Sequence, residues 1–102
     1  MFVTIYKDIV FIEGSPKEKT NIKEIDVELL GFGAQLKSLR DVKERIYLQV
    51  KMNGGNCLCN FVYGQKQRLF AFDDIAFYGS GMICILDSVV YEKYMHKDDE
   101  ED

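Results

Sequence analysis

Three cysteines and one histidine are the residues best suited to metal or nucleophilic chemistry: Cys57, Cys59, Cys84 and His96. On paper they supply four soft ligands for zinc. Structural zinc, however, takes cysteine knuckles with wider spacing, set in loops. Cys57-Leu58-Cys59 lies in an apolar run read as a strand, where alternate residues share a face with Phe61. These thiols are therefore expected in the core, and no metal site is expected. Nucleophilic catalysis needs a base beside the nucleophile, and the one histidine borders a charged tail. Asp73, Asp74 and Asp87 are the acids that an acid–base or Mg²⁺ site would use. Adjacent strand residues point to opposite faces, so Asp73-Asp74 reads as a solvated turn or bulge. Gly31-x-Gly33 and Gly79-x-Gly81 lack the third glycine of a dinucleotide fingerprint, because Leu36 and Cys84 stand there. With no catalytic constellation and no phosphate-cradling loop, the chain reads as non-enzymatic and without a cofactor.

Two binding chemistries remain. Tyr47, Tyr63, Phe77 and Tyr78 are the residue types that protein interfaces favour. They mark the candidate surface for a protein partner. Lys37, Arg40, Lys43, Lys66 and Arg68 are the candidate nucleic-acid contacts, with aromatics such as Tyr47 and Tyr63 as a stacking platform. The body of the chain is neutral, and it carries no RNA-recognition, KH or zinc-finger pattern. A small binding module acting through a protein partner is therefore the first reading. It would serve as an inhibitor or adaptor, encoded by a virus or mobile element, alone or as a homodimer. A single-stranded nucleic-acid binder with an acidic regulatory tail is the alternative.

The net charge of −4 comes from 13 basic and 17 acidic residues in a chain of 102. Five of those acids lie in Lys97-Asp98-Asp99-Glu100-Glu101-Asp102. Adjacent like charges repel and bury nothing, so 97–102 is expected to be a disordered tail and 1–96 one compact domain. The tail resembles the acidic tails of phage-type single-strand DNA-binding proteins. That resemblance implies shielding of a basic groove, although this tail ends in Asp102 and theirs often end in an aromatic residue. The N-terminal run Met1–Val10 has no basic leader region, and Lys7-Asp8 interrupts it. An odd number of cysteines without a secretion signal points to free thiols and a cytoplasmic location, host cytoplasm if viral. Apolar runs are too short to span a membrane.

The elements that must position these residues are uneven in clarity. Residues 2–12 read as one buried strand or as a hairpin turning at Lys7-Asp8. Gly14-Ser15-Pro16 opens a loop over 13–21. Residues 22–30 carry two signals. Ile22, Ile25 and Leu29 fall on a helical stripe. Glu24, Asp26 and Glu28 also alternate strictly with Ile25, Val27 and Leu29, as in a half-buried strand. We read 22–30 as helix, with strand close behind, a break at Gly31-Phe32-Gly33, and helix over 34–44. Residues 46–52 alternate as a strand, and Asn53-Gly54-Gly55-Asn56 makes a hairpin turn. Further strands are read at 57–63, 69–78 and 82–94. Turns at 64–68 and 79–81 separate them, with a kink at Asp87-Ser88.

The expected fold is α+β: an N-terminal strand or hairpin, one or two short helices within 22–44, then a four-stranded antiparallel meander over 45–94. A small all-β barrel is the alternative. Several strands are apolar on both faces. One face would therefore close into a barrel or be shared with a partner or second copy, with 2–6 or 89–94 as pairing edges.

Overall fold

The computed structural model describes residues 2–31, 38–67 and 75–97. The described residues form a small α+β fold of five strands and two helices, with the sheet between the helices. Residues 2–12 take the hairpin form. Strands β1 (Phe2–Tyr6) and β2 (Ile9–Glu13) pair antiparallel across Lys7-Asp8. Lys7 accepts a positive φ of 56° to make that turn.

Residues 22–30 are strand. β3 runs from Thr20 to Gly31. Its period-two pattern prevails over the helical stripe because Ile25, Val27 and Leu29 all find apolar partners on one face. The expected helix over 22–30 is thus overturned in favour of its alternative. Residues 34–37 lie outside the described residues.

Helix α1 (Leu39–Met52) begins later than expected and continues through 46–52, which was read as a strand. Val42, Ile46 and Val50 fit both periods, but buried Lys43 sits three residues before Ile46, a spacing that a helix and not a strand brings to one face. Leu48 and Met52, the other members of the alternation, are exposed. Ser38 caps the helix in a reciprocal box with Asp41. Asn53–Asn56 therefore joins helix to strand and is not a hairpin turn.

β4 (Cys57–Gln67) and β5 (Ile75–Ile85) run straight through the glycines expected to be turns at 64 and at 79–81. These glycines are needed for close approach. A Cβ on Gly79 would lie 2.7 Å from Val42 Cγ1, so its absence lets α1 settle on the sheet. Asn60, with φ 54°, marks a register shift between Cys59 and Val62. Beyond this bulge the alternation of β4 is inverted. Cys57 and Cys59 face away from α1, whereas Phe61 packs beneath it.

The expected strand over 82–94 divides into the end of β5 and helix α2 (Ser88–Met95). Asp87 is the N-cap, its carboxylate accepting from Val90 N at 2.9 Å. The strand order is β1-β2-β4-β5-β3. β2 and β4 are parallel, and the other pairs are antiparallel. The sheet is consequently mixed and not a meander, because β3, early in sequence, closes the far side of β5. α1 covers one face through Val42, Ile46 and Val50. α2 covers part of the other through half-buried Val90, Tyr91, Tyr94 and Met95. The second apolar face is thus met in part from within the chain. No described helix is long and apolar enough to cross a membrane.

The Lys7-Asp8 turn pins both helices. Lys7 Nζ pairs with Glu44 at 2.7 Å, and Lys51 Nζ with Asp8 at 2.8 Å. Tyr91 Oη donates to the Asp8 carbonyl at 2.6 Å. Lys51 holds the Asp8 carboxyl below its ordinary range, and Lys7 followed by Tyr6 does the same for Glu44. A carboxyl depressed on folding stabilises the fold above its unfolded pKa and loses that contribution as pH falls through the folded value. The wild type should therefore lose urea resistance more steeply on acidification than Asp8→Asn/Glu44→Gln. The two midpoints should converge below the folded carboxyl range. Because the pairs are exposed, the separation should be small and salt-sensitive. Parallel acid profiles would show that these pairs do not couple to folding.

Candidate functional site

β3 is an edge strand, and among the described residues no strand pairs its outer side. Its twelve residues exceed the five of β1, the opposite edge. The alternation gives β3 two chemically distinct sides. Ile25, Val27 and Leu29 face α1. Glu24, Asp26 and Glu28 face the other way and are exposed, standing opposite Met82, Ser80 and Tyr78 of β5.

Two concavities flank this strand. A groove of about 410 Å³ runs along 23–28 and is bounded on the helix side by Arg45 and Gln49 of α1. On the other face, a cleft of about 320 Å³ is lined by Glu24, Asp26, Ser80, Met82 and the Asn60 bulge. The first presents open backbone donors and acceptors. The second presents two carboxylates beside a half-buried methionine. An exposed strand edge of this length is a ready template for pairing, and in-line acids restrict what can pair with it.

The expected aromatic surface is dispersed. Tyr47 is half-buried on α1, edge-to-face with Tyr6 at 6.0 Å, with the Lys7 ammonium 4.7 Å from its ring centre. It buttresses the Lys7-Asp8 turn. Tyr63 is 39% exposed and stacks on Phe61 at 4.9 Å. Phe77 lies on that same helix-facing side, two register positions along. Tyr78 is on the opposite face, its ring over Gly64. Only Tyr63 and Phe77 are brought onto one surface.

The basic set is also divided. Arg40 is exposed in the first turn of α1. Lys43 is buried, its ammonium 5.7 Å from the Phe11 ring centre, so it belongs to the core margin and not to an open groove. Lys66 is placed in β4 by its backbone. Lys37, Arg68, Asp73, Asp74 and 98–102 of the acidic tail lie outside the described residues.

Of the candidate ligands, Cys57, Cys59 and Cys84 are fully buried free thiols beneath α2. His96 is exposed at the C-terminal end of α2, 3.9 Å from Glu92. Among the described residues, no group of three or more His, Cys, Asp or Glu could hold a metal ion. Asp87 is occupied as a helix cap. The acid row on β3 was visible in the sequence as an alternation, but its position at a sheet edge was not.

The fold has a solved counterpart. The chain is similar to a crystal structure from Pediococcus pentosaceus ATCC 25745, of a protein of unknown function that belongs to the DUF74 family. The TM-score is 0.55 at 12% identity, over 78% of this chain and 98% of that one. At this identity the likeness concerns the fold alone. No family model and no curated protein matches the sequence.

Proposed function

We propose that this chain is a non-enzymatic module that binds a protein partner by strand addition along β3. The partner segment is extended, with apolar and basic side chains in alternation. The observation that carries the reading is the open outer side of β3, with Ile25, Val27 and Leu29 on one face and Glu24, Asp26 and Glu28 on the other. An added strand bonds to the open backbone and places its side chains alternately on the two faces. Its apolar positions continue the row beside α1. Its lysines or arginines fall next to the carboxylates, where opposite charges across a strand pair are favourable and like charges are not.

The same rule argues for a different protein as partner. A second copy pairing β3 against β3 would set acid against acid. The other open edge, β1, reads Phe-Val-Thr-Ile-Tyr and brings no cation. Nucleic acid is disfavoured at this surface because the acid row repels phosphate. The module would act as an inhibitor or adaptor by occupying a strand-forming segment of its partner.

A display selection of random peptides on the intact protein tests this. Enriched peptides should alternate basic with β-branched or other apolar residues. Their affinity should fall about tenfold, equivalent to about 1.4 kcal/mol, in Glu24→Lys/Asp26→Lys. Acidic or proline-rich winners, or equal binding to wild type and variant, would refute the reading.

A further inference from the structure

On the sheet face away from α1, three thiols meet. Cys57 and Cys59 are alternate residues of β4 and share that face. Cys84 of β5 is the direct cross-strand partner of Cys57, and its Sγ lies 3.4 Å from Cys59 Sγ. All three have zero exposure.

Register decides which pair can join. Directly opposed strand residues hold their Cβ atoms about 4.5–5.5 Å apart, whereas diagonal neighbours are farther apart, at somewhat under about 7–8 Å. A disulfide spans a Cβ separation of about 3.5–4.5 Å. Cys57 and Cys84 need a small approach. Cys59 and Cys84 sit diagonally, since Cys59 stands opposite Met82.

The cover over this cluster is the least secured element described. α2 has eight residues and no fully buried side chain. Tyr91, whose hydroxyl holds the Asp8 carbonyl, ties it to the β1–β2 turn. Short elements with few buried contacts open locally at lower cost than the sheet beneath them.

We propose that Cys57 and Cys84 form a reversible redox site, oxidised to a disulfide by hydrogen peroxide when α2 lifts. The Cys84 thiolate attacks one peroxide oxygen. An S–O bond forms, the O–O bond breaks, and hydroxide leaves and is protonated to water. The Cys57 thiol then attacks the Cys84 sulfenic sulfur. The S–S bond forms, the S–O bond breaks, and a second water carries away the thiol proton. Two thiols thereby supply the two electrons that reduce one peroxide, and a dithiol reductant reverses the change. Cys84 is the suitable attacking group because it lies between the other two sulfurs. Hydrogen bonding with Cys57, and after it with Cys59, pulls it down to about 7 against the opposing effect of burial. Burial holds Cys59 up at about 12, and its thiol donates to the Met82 carbonyl at 3.5 Å while accepting from Cys84.

The test treats the intact protein with peroxide, traps remaining thiols with N-ethylmaleimide and maps the peptides by mass spectrometry. Wild type and Cys59→Ala should each lose about 2 Da and retain a Cys57–Cys84 link, whereas Cys57→Ala should not. Tyr91→Phe should speed bridge formation several-fold at unchanged fold content. Dithiothreitol should restore the free thiols. The wild-type map stands even if a variant fails to fold. No mass loss, a bridge made through Cys59, or a rate indifferent to Tyr91→Phe would overturn the proposal.

Discussion

Phe11→Ala is expected to lower the free energy of unfolding by about 3–5 kcal/mol. Phe11 is fully buried on β2, next to the central strand, in the short stretch where β2 runs parallel to β4 beside Leu58. Its ring meets Phe61 edge-on at 5.0 Å and Tyr6 at 6.4 Å, with the Lys43 ammonium on a third side. Truncation removes transfer energy and both ring contacts, and it leaves a space that the sheet cannot close. A domain of this size has about 5–15 kcal/mol in total, so the loss is a large fraction of it. Urea titration should show a lower midpoint at an unchanged slope. A shift below about 1 kcal/mol would mean that Phe11 is not central to the packing.

Gly81→Ala should cost about 1–3 kcal/mol by the opposite mechanism, overpacking. A Cβ there would stand 2.8 Å from the Cys59 carbonyl oxygen and 2.9 Å from Leu58 Cγ. The first of these is backbone, which cannot swing aside, so β4 must move at its bulge. Because that bulge also lines the cleft beside Glu24 and Asp26, the substitution should disturb the β3–β5–β4 side of the sheet before the β1–β2 hairpin. Amide exchange should therefore rise in β4 and β5 ahead of β1. A stability equal to wild type would show that β4 and β5 are farther apart than described.

These effects also show what could be read from the residues alone. The α+β class was legible, as was the hairpin alternative at Lys7-Asp8, because local turn chemistry and alternation suffice for both. Segment 46–52 imitates a strand because Ile46 and Val50 fit a strand and a helix equally, and what discriminates is the exposure of Leu48 and Met52, which residue types do not reveal. The glycines of 79–81 looked like a turn because sequence does not reveal that a helix passes over them. The 82–94 run conceals a helix because Asp87, which reads as a kink, is an N-cap. The acid row of β3 was on view as Glu24, Asp26 and Glu28. Its meaning depended on strand order, a non-local property that places β3 at an edge beyond β5. The thiol cluster was recognised as core, but the pairing of Cys57 with Cys84 follows from register.

Strand addition along β3 would be seen by amide hydrogen exchange with a selected alternating basic peptide bound. New protection is expected at alternate amides of 20–31, those facing outward, with β1 unchanged. Protection on β1 or on the exposed side of α1, with β3 exchanging as in the free protein, would contradict it.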